Sequence, residues 1–179
     1  MKKSTLLYAS MAFVILTVLL SIWVIASDEE DGWKKVSGKA KDFTMMLFDG
    51  KIINSTDLKG KVIILEFWDT HCGPCLQLMP ELVKLSDKYK DNPDVAIYII
   101  NAGWEKSEQA KAYIERKNYQ FNSAYMNKDI SRRLGVTTLP ATIIIDKDYN
   151  LRFKHLGFDE NNEMDIVSEF DTHIQTLLK

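Results

Sequence analysis

Cysteine is scarce in this sequence, which contains only Cys72 and Cys75. Two cysteines cannot build a disulfide framework, and a bridge that closes so short a loop restrains the unfolded chain very little. The pair also cannot supply a four-thiolate zinc site by itself. We therefore expect these cysteines to make and break a bond rather than to hold the fold together.

The chain also lacks an excess of charge of either sign. It has 23 Lys and Arg against 25 Asp and Glu, which gives a formal net charge of −2. This balance gives no reason to expect nucleic acid as a partner. Internal repeats and low-complexity tracts are absent too, and a length of 179 residues allows one domain with a core plus an appendage.

A long uncharged run stands near the amino terminus, at Thr5–Ala26. About 20 apolar residues span a bilayer as a helix, whereas the apolar part of a signal peptide has roughly 7 to 15. Lys2 and Lys3 precede the run and Asp28–Asp31 follow it, so the amino terminus is expected inside the cytoplasm. The sequence predicts a single-pass membrane anchor over residues 1–27 and a catalytic domain on the outer side of the cytoplasmic membrane.

A cleaved signal peptide is the alternative, with Ala26 or Ser27 at the cut site. Both interpretations export the rest of the chain. Residues 28–40 are charged and lack periodicity, so we predict a short linker there and one domain over 41–179.

The domain alternates between strand and helix patterns. Asp49-Gly50 predicts a β-hairpin between 43–48 and 51–53. Further strands are predicted at 62–68, 95–100, 121–126, 141–146 and 151–155, and helices after the cysteines and at 105–117, 130–134 and 163–178. This order predicts an α/β fold with a mixed central sheet and helices on both faces.

The cysteines stand between a buried strand and an amphipathic helix. A cysteine at the amino end of a helix meets unpaired N–H groups and the positive end of the dipole, which favour the thiolate. We therefore predict that Cys72 attacks and that Cys75, one turn further, is the buried resolving thiol. Gly73 and Pro74 set the geometry of the turn, because proline fits the first turn of a helix. Two ordinary core cysteines, or half of a metal site, are the alternatives.

Two segments resemble the thioredoxin-fold family: FWDTHCGPCLQLMP at 67–80 and GVTTLPA at 135–141. The amino-terminal run and the opening FTMMLFDGKIINSTDLKGKVIILEFW resemble the membrane-tethered TlpA/ResA-like branch. The resemblance covers residues 41–179. It implies a thioredoxin-like fold and thiol–disulfide exchange outside the cytoplasmic membrane, where several members of the branch serve cytochrome c maturation.

Glu66 is a carboxylate inside an otherwise apolar strand. Burial disfavours the charged form, so its pKa is expected to be raised. The resemblance implies that Glu66 matches the buried acid of thioredoxins and exchanges protons with Cys75. An exposed strand position is the alternative. The branch commonly carries a second glutamate three residues after the inner cysteine, and this chain has Leu78 there.

Four more residues are predicted to shape the site. His71 stands where relatives often carry tryptophan, and it is either a charge that favours the Cys72 thiolate or an exposed loop residue. Trp68 packs behind the site or forms its rim. The resemblance implies a cis peptide bond before Pro140, which holds the backbone of Leu139 open for an incoming peptide and keeps metals off the thiols.

The sequence thus predicts an exported protein-disulfide reductase without a bound cofactor or metal. Its expected partners are a disulfide-bearing protein substrate, a membrane thiol protein that donates electrons, and the membrane itself. Two alternatives remain. One is a tethered Cu(I)-binding module that uses the cysteines with His71 or Met79, and the other is a thiol peroxidase.

Overall fold

The computed structural model describes residues 33–102, 107–125, 128–157 and 166–179. Within these ranges, no helix combines the length and the apolar character that crossing a bilayer requires. The predicted anchor at 1–27 lies outside the described residues.

The strands in chain order are β1 (Trp33–Lys35), β2 (Thr44–Met46), β3 (Ile52–Asn54), β4 (Val62–Trp68), β5 (Val95–Asn101), β6 (Ser123–Ala124), β7 (Ala141–Ile145) and β8 (Leu151–Leu156). Six of those described form one mixed sheet in the order β1-β8-β7-β4-β5-β6. β4 pairs in parallel with β5 and antiparallel with β7, so it is an inner strand with neighbours on both sides.

The helices are α1 (Gly73–Tyr89), α2 (Ser107–Lys117), α3 (Lys128–Arg133) and α4 (Ile166–Leu178), and a 3-10 turn spans Ser55–Leu58. α1 begins at the cysteines as predicted, and its buried residues recur at helical spacing. They are Cys75, Leu78, Met79, Leu82, Leu85 and Tyr89. This stripe holds α1 against the sheet, because burying a large apolar side chain stabilises a fold by about 1.5–3 kcal/mol.

The two faces of the sheet are covered differently. Successive side chains of a strand point to opposite faces. On one face, Ile63, Leu65 and Phe67 join a core closed by the β2–β3 hairpin, the 3-10 turn and α3. On the other face lie Glu66 and Trp68, and the Trp68 ring packs 5.7 Å from the Tyr113 ring of α2.

α1 and α4 also cover the Glu66 face. Tyr89 Oη at the end of α1 donates to Asp171 Oδ1 of α4 at 2.5 Å and accepts from Gln175 Nε2 at 2.9 Å. Burial raises the pKa of Tyr89 to about 12, so the phenol remains a donor at every physiological pH. This contact joins the carboxyl end of α1 to the last helix.

The predicted hairpin is confirmed. β2 and β3 pair antiparallel, with Met45 opposite Ile53, and Gly50 in the turn has φ of +91°. β2 is shorter than the predicted strand at 43–48, whereas β3 has the predicted length and is shifted by one residue. The mixed sheet with helices on both faces is confirmed as well, with the larger helices α1, α2 and α4 on the Glu66 face.

The predicted linker over 28–40 is wrong for its second half. β1 is the edge strand beside β8, Val36 N donates to Arg152 O at 3.0 Å, and Ala40 N donates to Tyr149 O at 3.1 Å. Ala40 is also buried in the core. The charged side chains at this edge point to solvent, so the sequence shows too little alternation to mark a strand.

We expect a truncated chain that begins at residue 41 to be less stable than one that begins at residue 33. The shorter chain loses β1 and the hydrogen bonds of Val36 and Ala40, each of which contributes about 1 kcal/mol. Urea unfolding of both chains should show a loss of about 2 kcal/mol or more. Equal free energies of unfolding for the two chains would mean that residues 33–40 act only as a linker.

Candidate active site

Cys72 and Cys75 form a disulfide at the start of α1, with an S–S length of 2.03 Å and a Cα–Cα distance of 5.2 Å. Cys72 is the N-cap residue, and its Sγ accepts a hydrogen bond from Cys75 N at 3.3 Å. Pro74 follows in the first turn, where its missing N–H is not needed. Cys72 is partly exposed and Cys75 is only 1% exposed. An incoming sulfur can therefore reach Cys72 first.

Asp69 supports the loop that leads into the cysteines. Its buried carboxylate accepts from His71 N at 2.7 Å and lies 3.2 Å from His71 Nδ1. Its carbonyl accepts from Cys72 N at 3.2 Å. The His71 side chain is 78% exposed, so the imidazole is a loop residue tethered to a buried acid. This is the exposed loop position, one of the two alternatives stated for His71 from the sequence, and an effect of His71 on the Cys72 thiolate stays a prediction.

Glu66 is fully buried in β4. Thr142 lies opposite it on β7, and Thr142 Oγ1 donates to Glu66 Oε2 at 2.5 Å. Burial raises the pKa of Glu66 from 4.5 to about 8, and the Thr142 hydrogen bond opposes this shift. The exposed-position alternative is therefore wrong. A carboxyl group with this pKa can both give and take a proton near neutral pH.

Trp68 ends β4 and Asn101 ends β5 beside it, and both side chains are fully buried. Within the described residues, Trp68 Nε1, both polar atoms of the Asn101 amide, and Glu66 Oε1 have no hydrogen-bond partner. An unpaired buried polar group costs about 1–3 kcal/mol. This is a large concentration of such groups, and all of them stand at one end of the sheet. Trp68 is thus a packed residue behind the site and not part of an exposed rim.

The Leu139–Pro140 peptide bond is cis, as the resemblance implies. Pro140 directly precedes β7, whose first residue Ala141 pairs with Phe67 near the carboxyl end of β4. The cis-proline segment therefore reaches the same end of the sheet as the cysteines. Pro140 is buried and Leu139 is half-buried.

Comparison with protein-family profiles matches residues 36–154 to the AhpC/TSA family. The chain belongs to the AhpC/TSA family. The matched range runs from just after β1 to the middle of β8, so it contains the cysteines, Glu66 and Pro140.

The curated proteins to which this AhpC/TSA chain is similar include a thioredoxin-like protein and thiol–disulfide oxidoreductases. It is 32% identical to the thioredoxin-like protein YneN of Bacillus subtilis over 74% of the chain and 78% of YneN. It is 33% identical to the thiol–disulfide oxidoreductase ResA of Bacillus thuringiensis over 83% of the chain and 86% of that protein.

Solved structures agree on the fold. A Chlorobium tepidum structure described as a DsbE-type thiol:disulfide interchange protein matches with a TM-score of 0.70 and 25% identity. The match covers 82% of this chain and 99% of the Chlorobium tepidum chain. The pneumococcal surface lipoprotein thioredoxin Etrx1 matches with a TM-score of 0.65 and 23% identity, over 76% of this chain and all of its own. The AhpC/TSA chain therefore has a thioredoxin-like α/β fold.

All nine site residues that the sequence selects lie on β4, in the loop and helix turn that follow it, or just before β7: Glu66, Trp68, His71, Cys72, Gly73, Pro74, Cys75, Leu139 and Pro140. It adds three residues that the sequence did not select: Asp69, Thr142 and Asn101. The signal for Thr142 is its register opposite Glu66, which requires the sheet pairing. Asn101 is a polar residue at the end of an apolar strand, and such positions at the carboxyl edge of a sheet often serve a site.

The raised pKa predicts how stability depends on pH. The folded protein keeps Glu66 protonated up to about pH 8, whereas the unfolded chain ionises it near 4.5. Its contribution to the free energy of unfolding is therefore complete below pH 4.5 and is lost as the pH rises towards 8. The loss is about 1.4 kcal/mol for each pH unit between these values.

A Glu66→Gln variant has no such titration, so its free energy of unfolding should fall less steeply over that interval. Denaturant unfolding of both oxidised proteins at several pH values measures the difference, and titrations common to both cancel. Parallel curves would contradict the burial of an ionisable Glu66.

Proposed function

We propose that this protein is a thiol–disulfide oxidoreductase that reduces disulfides of other proteins outside the cytoplasmic membrane. The observation that carries the proposal is an accessible cysteine at a helix N-terminus, disulfide-bonded to a buried one on the face that also buries Glu66. Relatives named ResA support the same chemistry. Reduction would use the dithiol form of this pair.

The first step is attack on the substrate disulfide by the Cys72 thiolate. The N–H of Cys75 already points at Cys72 Sγ, and the helix dipole favours negative charge on this sulfur. A mixed disulfide forms between Cys72 and one substrate sulfur. The other substrate sulfur leaves as a thiolate and takes a proton.

The second step is resolution by Cys75. Its thiol gives its proton to the Glu66 carboxylate, and the resulting thiolate attacks Cys72 Sγ and releases the second substrate sulfur, which is also protonated. Two electrons have then moved from the dithiol to the substrate. The pKa of Glu66 near 8 leaves both of its forms populated around neutral pH, which this transfer requires.

Regeneration reverses the proton transfer. A thiolate of the donor attacks Cys72, and Cys75 leaves as a thiolate that takes the proton from Glu66. A second thiolate of the donor then attacks the donor sulfur of this mixed disulfide and releases the Cys72 thiolate, so the donor becomes the disulfide and the Cys72–Cys75 dithiol is restored. The compartment outside the membrane is oxidising, so a reductase there needs an electron-donating thiol protein in the membrane. The apolar run at Thr5–Ala26 supports a membrane anchor that keeps the domain near such a donor.

The substrate is a protein segment that carries a disulfide. We propose that Leu139 and Pro140 bind the backbone beside the reacting sulfur, because their cis bond lies at the end of the sheet that also carries the cysteines. Cytochrome c maturation is the pathway suggested by the ResA-like branch. Leu78 is a buried apolar residue where the branch commonly carries glutamate, so Glu66 is the acid assigned to proton transfer in this chain.

A Cys75→Ser variant should accumulate mixed disulfides with its substrates, because the resolving thiol is missing. Non-reducing electrophoresis followed by mass spectrometry identifies the trapped species, and the bond should run through Cys72. The matched control is Cys72→Ser, which should trap none because Cys75 is buried.

An absence of trapped species, together with no reduction of insulin disulfides by the unaltered protein, would contradict the proposed function. Stoichiometric Cu(I) binding by the reduced protein in equilibrium dialysis would favour the metal-binding alternative instead. Rapid consumption of peroxide would favour a thiol peroxidase.

The proposed location is tested by labelling intact cells. A membrane-impermeant maleimide, added after an impermeant reductant, should modify Cys72 without lysis if the domain lies outside the membrane, because the Cys72 side chain is partly exposed. A cytoplasmic protein with an exposed cysteine is the control and should stay unmodified until the cells are broken. Protection of Cys72 to the same degree as that control would place the domain inside the cell.

A further inference from the structure

Three neighbouring side chains bury polar atoms that find no partner among the described residues. The atoms are Glu66 Oε1, Trp68 Nε1, and Nδ2 and Oδ1 of Asn101. All three residues are fully buried. Buried polar groups in native proteins are almost always hydrogen-bonded to protein or to ordered water. Four such atoms on neighbouring residues of two paired strands therefore point to a bound molecule that satisfies them.

The strand register places these three residues next to one another on one face of the sheet. Trp68 and Asn101 are direct partners across the parallel β4–β5 pair, and Glu66 precedes Trp68 by two residues on the same face. Strands lie about 4.8 Å apart and two residues along a strand span roughly 6.6 Å. The Cα atoms of Glu66 and Asn101 are thus about 8 Å apart, a separation that suits a small molecule between their side chains.

One water molecule can satisfy the unpaired donors and acceptors of all three side chains. The Trp68 indole only donates, the Asn101 amide both donates and accepts, and Glu66 Oε1 accepts when ionised and can donate when protonated. A buried water typically makes about three hydrogen bonds to groups of this kind. Binding such a water needs no charged partner for Glu66. The residue that pairs with Glu66 on β5 is the apolar Ile99.

We propose that Asn101 is a positioning residue of the redox site, which together with Trp68 holds an internal water against Glu66 Oε1. The proposal rests on the proposed function, in which Glu66 exchanges a proton with Cys75. Thr142 serves the other carboxyl oxygen, so the water completes the hydrogen bonding of Glu66.

This water favours the ionised form of Glu66, because it donates a hydrogen bond to a carboxylate that is otherwise desolvated. The carboxylate is the form that accepts the Cys75 proton. Asn101 touches neither the cysteines nor the substrate in this scheme, and it acts only by placing the water. Its removal should therefore slow resolution by Cys75 and leave the first attack by Cys72 unchanged.

The test replaces Asn101 by an apolar side chain of similar size, in Asn101→Leu. An NMR titration of oxidised protein labelled with 13C-glutamate reports the Glu66 carboxyl directly, without titrating cysteines. We expect the Glu66 titration to move to higher pH in Asn101→Leu. A displacement of one pH unit makes the Glu66 carboxylate roughly tenfold rarer at neutral pH, so the resolution of a mixed disulfide should be roughly tenfold slower. The rate of the first attack should stay the same.

Ser123→Ala is the matched control. Ser123 on β6 is also buried, and its hydroxyl also has no partner among the described residues, but it lies two strands from Glu66. If the loss of any buried polar group changes the Glu66 titration, both variants should show the change. If Asn101 holds the proposed water, only Asn101→Leu should show it.

A second measurement needs no variant. In the unaltered protein, the Trp68 indole N–H should show a cross-relaxation peak to a long-lived internal water. An absent peak, or an unmoved Glu66 titration in a folded Asn101→Leu protein, would overturn the role of Asn101. Neither result touches the proposed function, which depends separately on the mixed disulfides of Cys72.

Discussion

The start of helix α1 is the constraint on which the rest of the site depends. Its first turn follows the inner strand β4 after a short loop, and Cys72 is its N-cap residue. This single placement makes the two cysteines different. Cys72 receives the dipole and the N–H of Cys75, while Cys75 turns into the core on the Glu66 face. A dithiol with one accessible and one buried sulfur is what ordered exchange requires.

Glu66 shows that stability is given up for this chemistry. An apolar residue at this position of β4 would pack without the desolvation that raises the pKa of this carboxyl to about 8. Only one of its oxygens has a protein partner among the described residues, Thr142 Oγ1. The surrounding strands are long, fully buried and apolar, so the sheet tolerates this cost.

Much of the fold could be predicted from local patterns. The apolar run predicts β4 at Val62–Trp68, as observed, because a strand buried on both faces leaves a continuous apolar signal. The Asp49-Gly50 turn is equally local. β1 was missed because its side chains are mostly exposed and its hydrogen bonds run to β8, more than a hundred residues away in the chain. Asp69, Thr142 and Asn101 were missed for the same reason, since their roles depend on loop geometry and on register.

The central claim is that exchange starts at Cys72 and not at Cys75. The most direct measurement is the rate at which a small alkylating reagent modifies each cysteine of the reduced protein as a function of pH. Cys72 should react first, with a pKa below the ordinary thiol value of about 8.5, while Cys75 stays protected. Equal rates at both cysteines, or a Cys72 that titrates like an ordinary thiol, would contradict it.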